Sequence, residues 1–265
     1  MESGVADSYL TIDNVTKEFP RRGEPPLTVL GGVHADVEEG ALVSILGPSG
    51  CGKSTLLNII NGLDDATSGR ILIDGKEITR TSRSDVRIGV VFQQPRLLNW
   101  RTVRDNVRLP LDELGMSRAA ANERVDHYLD LVGLAEFGDY YPLRLSGGMQ
   151  QRVSLARGLA IEPDLLLADE PFSALDEITA RRLRQEFVRI WRATGRTIIF
   201  VTHNIRESVY LSTRMVMVTA RPCAVHLDIP IDVPYPRVPE DDRLFDIEKS
   251  VTRDFIRMEE TTGAQ

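Results

Sequence analysis

The run Gly47-Pro-Ser-Gly-Cys-Gly-Lys53-Ser54 sets glycines, one lysine and one hydroxyl at the spacing G-x-x-x-x-G-K-[ST]. That spacing wraps a phosphate, because backbone N–H groups of a glycine loop converge on an anion at the start of a helix. Glycine is needed where the chain must curl around phosphate oxygens with no Cβ in the way. Lys53 would lie along the β- and γ-phosphates, and the Ser54 hydroxyl would ligate Mg²⁺. A second chemical pair stands in Leu165-Leu-Leu-Ala-Asp-Glu170, where two carboxylates follow an apolar run. Asp169 can hold Mg²⁺ through its water shell, and Glu170 can polarise a water for attack on a γ-phosphate.

These groups need strands and helices to position them. Ala41 to Leu46 reads as a buried strand and Thr55 to Asn61 as a helix, so the glycine loop has the strand–loop–helix setting in which it works. Leu165 to Ala168 reads as another buried strand, which puts both carboxylates at a strand's C-terminal end, where open α/β sheets keep their ligands. Further strands are expected at Leu10 to Val15, near Thr28 to Leu30 after a Pro25-Pro26 loop, at Ile88 to Phe92, Ile198 to Val201 and Met215 to Val218. Asp74-Gly75 between apolar runs predicts a hairpin. From about 95 to 160 the pattern turns helical, with Val125, Tyr128, Leu129 and Val132 at one helix face, and a helix from about Asp176 to Ala193 carries Leu183, Phe187, Ile190 and Trp191 on one face. The fold class is α/β: a P-loop NTPase (RecA-like) core, a flanking antiparallel β-region and an inserted helical subdomain.

Composition limits the function. The 265 residues carry 32 Lys and Arg against 39 Asp and Glu, a formal net charge of −7. That balance argues against broad nucleic-acid affinity. No apolar run approaches the ~20 residues that cross a bilayer, and Met1 to Asp7 lacks a signal peptide's basic-then-apolar layout, so the expected compartment is the cytosol. Cys51 and Cys223 are expected as free thiols. Cys51 is either an alkylatable thiol at a helix N-terminus or a small inert side chain.

The segment Leu145-Ser-Gly-Gly-Met-Gln-Gln-Arg152, following that phosphate loop and preceding Ala168-Asp-Glu-Pro171, resembles the ATP-binding subunit of an ATP-binding-cassette (ABC) transporter. The resemblance runs from about Leu10 to Pro222; residues 8–222 would form the ATPase domain, and 223–265 a short extension ending in a helix from about Asp241. Physically, Ser146 and two glycines at the head of a helix make a second phosphate-facing N-terminus. The resemblance implies two such subunits packed head to tail, each nucleotide held by Gly47, Pro48, Ser49, Gly50, Cys51, Gly52, Lys53, Ser54 and Thr55 of one and covered by Ser146, Gly147, Gly148 and Gln150 of the other.

It further implies that Phe19 stacks on adenine, a core phenylalanine being the rival reading. Gln93 links the Mg²⁺ and water region to the helical insert, with Gln94 adjacent in the same run. Asp176 belongs to a dimer-contact loop, and His203 touches the γ-phosphate, whereas His34, His127 and His226 lack such a setting and read as structural. Trp100 with Leu97 and Leu98 either helps receive a coupling helix of a membrane permease or is buried within the insert. The short tail and the Pro95-Arg-Leu-Leu-Asn-Trp100 segment resemble the importer branch for nitrate, sulfonates and taurine, although Asn99 stands where proline is expected. The implied protein is an ATPase using ATP and Mg²⁺, paired with a second ATP-binding subunit, bound to permease subunits at the cytoplasmic face of the membrane and served by a solute-binding protein. The alternative is a soluble, non-transport ATPase of the same superfamily.

Overall fold

A computed structural model describes residues 8–81, 86–173 and 175–263; the Met1 to Asp7 stretch lies outside the described residues. The chain forms two compact units, one of residues 86–198 and the other of the described residues on either side of them.

The first unit opens with a long hairpin, β1 (Leu10–Arg21) and β2 (Glu24–Val37), followed by β3 (Leu42–Leu46), α1 (Lys53–Ile60) and a second hairpin, β4 (Ser68–Ile73) and β5 (Lys76–Glu77). The hairpins make one antiparallel sheet in the order β2-β1-β4-β5. Asp74 (φ 50) and Gly75 (φ 70) turn the second hairpin in left-handed backbone, as expected. Strict alternation in β1 would bury Leu10, Ile12 and Asn14, but a register shift between Ile12 and Val15 buries Val15 instead. One extra residue resets which side of the strand faces the core. Pro25 and Pro26, expected in a loop, lie inside β2. β2 is an edge strand, so a residue without an N–H costs the ladder nothing on the open side.

The second unit runs β6 (Ile88–Val91), α2 (Val103–Glu113), α3 (Arg118–Leu131), α4 (Gly147–Ala160), β7 (Leu165–Asp169) and α5 (Glu177–Thr194). β6 and β7 pair in parallel. Its helices start on side-chain caps: Thr102 accepts from Asp105 N, Ser117 from Ala120 N, Ser146 from Met149 N and Asp176 from Thr179 N. Val125, Tyr128, Leu129 and Val132 are buried, as their spacing predicts.

β8 (Thr197–Thr202) carries the chain back into the first unit, followed by α6 (Ile205–Leu211), β9 (Arg214–Val218), β10 (Val225–Pro230) and α7 (Asp242–Gly263). There β10, β9, β3 and β8 are neighbours in that order, with β3 parallel to β9 and every β3 residue buried. α7 lays Leu244, Val251 and Met258 on Leu46, Met215 and Met217. The C-terminal helix therefore packs on the strand that leads into the glycine loop. The proline-rich connector before it is held by Arg237, 6% exposed, whose guanidinium donates to the carbonyls of Val209, Tyr210, Ser212, Ile231 and Val233. Lysine offers at most three donors in a different geometry. Arg237→Lys is therefore expected to strand carbonyls and cost about 2–4 kcal/mol, lowering the thermal midpoint by roughly 5–15 °C, which calorimetry measures.

Candidate functional site

In the first unit the buried strand β3 delivers the chain to Gly47, whose N–H donates to the Thr202 carbonyl at 3.2 Å. Gly52 sits just before α1 with φ 128, and a Cβ there would stand 2.8 Å from Val29 Cγ1 and 3.3 Å from Val29 O. Both backbone angle and space thus require glycine. Lys53 opens α1 and is 4% exposed, its Nζ donating to Gly47 O at 2.7 Å and Pro48 O at 2.8 Å. A buried ammonium folded into the mouth of its own loop, at a helix N-terminus, is a cationic cradle suited to phosphate. Ser54 lies exposed in the first turn of α1.

The turn after β8 carries His203, exposed to solvent. It is fixed from both sides: Thr202 Oγ1 donates to the buried Glu207 carboxylate at 2.8 Å and accepts from Asn204 N, while Asn204 Oδ1 caps α6. Through the Gly47 to Thr202 bond, His203 and the glycine loop share a backbone anchor. Phe19 lies on the surface, 39% exposed, with the Lys17 ammonium 5.1 Å from its ring centre; the core-phenylalanine reading fails. Cys51 and Cys223 are unbridged yet not independent. The Cys223 thiol, followed by the Lys53 ammonium, holds the Cys51 thiol down to about 6 against its burial. The cause is Cys223 before any helix effect.

In the second unit, Asp169 ends β7 and Glu170 follows at φ 42, left-handed backbone that costs a non-glycine residue on the order of 1 kcal/mol. Gln93 Nε2 lies 3.5 Å from Glu170 Oε2 and donates to Ser173 Oγ at 3.1 Å, and Ser173 donates through both N and Oγ to the Glu170 carbonyl. The side chain that reaches the carboxylate is that of Gln93. At the head of α4 the Ser146 hydroxyl accepts from Met149 N at 3.3 Å. Gln150 Nε2 donates to Pro142 O and Leu145 O, which commits its donor to the preceding turn. A Cβ on Gly148 would stand 2.4 Å from Thr179 Cγ2, and Thr179 N is the group that Asp176 caps. The Thr179 side chain, followed by that backbone bond, holds the Asp176 carboxyl below its usual range. Ser146, Gly148, Arg152, Thr179 and Arg182 share a cavity of about 530 Å³.

The structure therefore gathers the predicted residues into three local groups: the loop with Lys53 and the His203 turn, Gln93 with Glu170, and Ser146 and Gly148 around the Asp176 cap. Sequence reading missed Arg221, whose guanidinium donates to Gly50 O from Nε at 3.2 Å and Nη2 at 2.6 Å, and Ser173 as the partner of Gln93. Arg221 is 171 residues from Gly50, and no local pattern signals such a contact.

A family model described as ABC transporter matches residues 30–173. The chain is 40% identical over 248 residues to the aliphatic sulfonates import ATP-binding protein SsuB of Bacillus cereus, covering 94% of this chain and 96% of that protein. It is 42% identical to the taurine import ATP-binding protein TauB of Roseobacter denitrificans, covering 82% and 80%. Among solved structures it matches the dimeric, post-hydrolysis ATP-binding cassette MJ0796 bound to ADP and Pi, at a TM-score of 0.74 and 35% identity over 85% of this chain and 100% of that one.

Proposed function

From the premise that the chain belongs to the ABC transporter family, we propose that it is the ATP-hydrolysing subunit of an importer for a small anionic solute, of the sulfonate or taurine kind. The observation that carries this reading is the co-occurrence of two phosphate-facing helix N-termini, the Lys53 cradle and the Ser146-capped head of α4. Two copies packed head to tail would place the second over the nucleotide held by the first. The import activities of the relatives favour this reading over a non-transport ATPase.

Each residue's task follows from its setting. Lys53 exchanges its two carbonyl partners for phosphate oxygens, and Phe19 offers an exposed ring face to adenine. Ser54, Asp169 and Gln93 are hard oxygen donors of the kind Mg²⁺ takes, and among the described residues no three His, Cys, Asp or Glu cluster as a dedicated metal cage. Mg²⁺, which keeps several of its waters, would supply neutralisation of the phosphate charge. Glu170 accepts a proton from the attacking water, and His203 donates to the γ-phosphate. Ser146 and Gly148 of the second copy cap the terminal phosphoryl group, so hydrolysis waits on closure.

The permease-facing surface is proposed around Trp100, 75% exposed, which rules out the buried reading of this residue. Its loop is pinned by buried Asn106, which accepts from Leu98 N and donates to the carbonyls of Leu98, Arg101 and Thr102. The adjoining turn, tied on by Val103 N to Tyr140 O and Arg104 N to Gly138 O, exposes Tyr140, Tyr141 and Leu143. Among the described residues no helix is long and apolar enough to cross a membrane. A rigid apolar tip of this kind suits a peripheral subunit docking a permease helix from the cytoplasmic face. The test is reconstitution with the permease in proteoliposomes. ATP hydrolysis should rise when the binding protein carries a sulfonate, and Trp100→Ala should abolish that rise while nucleotide affinity stays within about twofold. Hydrolysis indifferent to every loaded binding protein would overturn the importer reading.

A further inference from the structure

Cys51 and Cys223 are both buried, and neither thiol takes part in nucleotide hydrolysis. Cys51 is in the glycine loop, and Cys223 follows β9 far along the chain. Three independent contacts bring their backbones together. Cys223 N donates to Val29 O at 2.8 Å, and Gly31 N donates to Cys223 O at 2.8 Å, so Cys223 is bridged to β2 on both sides. Gly52, next to Cys51, packs its backbone on the same Val29 and Leu30. Two residues before Cys223, the Arg221 guanidinium grips Gly50 O, next to Cys51 on its other side. Both thiols lie buried inside this frame.

The geometry points to Cys51 and Cys223 as a redox modification site: a thiol pair that a small peroxide converts to an intramolecular disulfide, latching the phosphate loop. In the first step the Cys51 thiolate sulfur attacks one oxygen of hydrogen peroxide and the O–O bond breaks. Cys51 becomes a sulfenic acid, and the departing hydroxide takes up a proton to leave as water. In the second step the sulfur of Cys223 attacks the Cys51 sulfenyl sulfur, the S–O bond breaks, and the hydroxyl leaves as water with the Cys223 proton. In sum two thiols and one peroxide give one disulfide and two waters. Depression of the Cys51 thiol by Cys223 and Lys53 supplies thiolate for the first step. Disulfides of reducing compartments are typically transient and regulatory, which fits a pair left reduced by default.

A disulfide holds its sulfurs about 2 Å apart, closer than two unbridged thiols can approach, so the loop must be drawn toward Cys223. Loop N–H groups that bind phosphate tolerate displacements of only about 0.5 Å. Oxidation is therefore expected to weaken nucleotide binding about tenfold or more, reversibly. The experiment treats the purified full chain with hydrogen peroxide, maps peptides under non-reducing conditions, and titrates MgADP before and after a dithiol reductant. The expected result is a Cys51 to Cys223 linked peptide within one chain, a loss of MgADP affinity restored by reductant, and no such loss in Cys223→Ala, whose untreated affinity matches the parent. Three results would overturn the assignment: a bridge between two chains, Cys51 passing to sulfinic acid as fast in the parent as in Cys223→Ala, or a complete internal bridge that leaves MgADP affinity unchanged. Thermal melts of Cys223→Ala confirm that the variant is folded before it is compared.

Discussion

Replacing Glu170 by glutamine is expected to cut steady-state ATP hydrolysis by roughly a hundredfold or more, the loss of a general base being worth about 10²–10⁴, while leaving nucleotide binding nearly unchanged. Glutamine has the same shape, and the contacts that fix residue 170 survive the change. Ser173 N and Oγ bond the residue's carbonyl, not its side chain. The φ of 42 is a backbone property that glutamine tolerates no worse than glutamate. What glutamine lacks is a lone pair basic enough to take a proton from water, so the step that follows closure is the one removed. If hydrolysis is what reopens the pair, Glu170→Gln should accumulate as a dimer in saturating MgATP, visible by size-exclusion chromatography with light scattering. A variant that still hydrolyses at the parent rate, or stays monomeric under those conditions, would remove Glu170 from its assigned role.

Features that depend on a few neighbouring residues were readable from sequence. Asp74-Gly75 specifies its hairpin because both central positions take left-handed backbone, and Ser146 caps a helix through a contact three residues away. Periodicity also placed the α3 face that buries Val125, Tyr128 and Leu129. Reading failed where a residue's environment comes from elsewhere in the chain. The Pro25-Pro26 pair looks like a loop until β2 is known to be an edge strand. Trp100 is equally plausible inside or outside on sequence alone, because the Asn106 side chain that holds its loop is an ordinary polar residue in an ordinary helix. The Arg221 grip on Gly50, the five carbonyls on Arg237 and the bridging of Cys223 to β2 are all products of chain reversal. Residue type named the phosphate loop; contacts from distant parts of the chain hold it.

Gly148 separates two explanations of why a glycine stands at the head of α4. One is that the backbone must approach the partner copy's phosphate; the other is that α4 must approach α5. A Cβ at 148 would lie 2.4 Å from Thr179 Cγ2. Thr179 is poorly placed to yield, since it is β-branched, sits in the first turn of α5, and its N–H is engaged by Asp176 at 3.0 Å. Gly148→Ala should therefore push the two helix heads apart, an overpacking that costs about 1–3 kcal/mol. It also displaces Ser146 by a fraction of an ångström to about an ångström, and misplacement on that scale costs on the order of a hundredfold in rate. Hydrolysis is expected to fall by roughly that factor, whereas MgADP affinity of the single subunit, set by the Lys53 loop in the other compact unit, should not change. Thr179→Ser removes Cγ2 and leaves the backbone N–H that Asp176 needs. Gly148→Ala combined with Thr179→Ser should then recover hydrolysis to within about tenfold of the parent. Full loss in the double variant would place the effect of the added methyl at the nucleotide-facing side of the helix and end the packing account of this glycine.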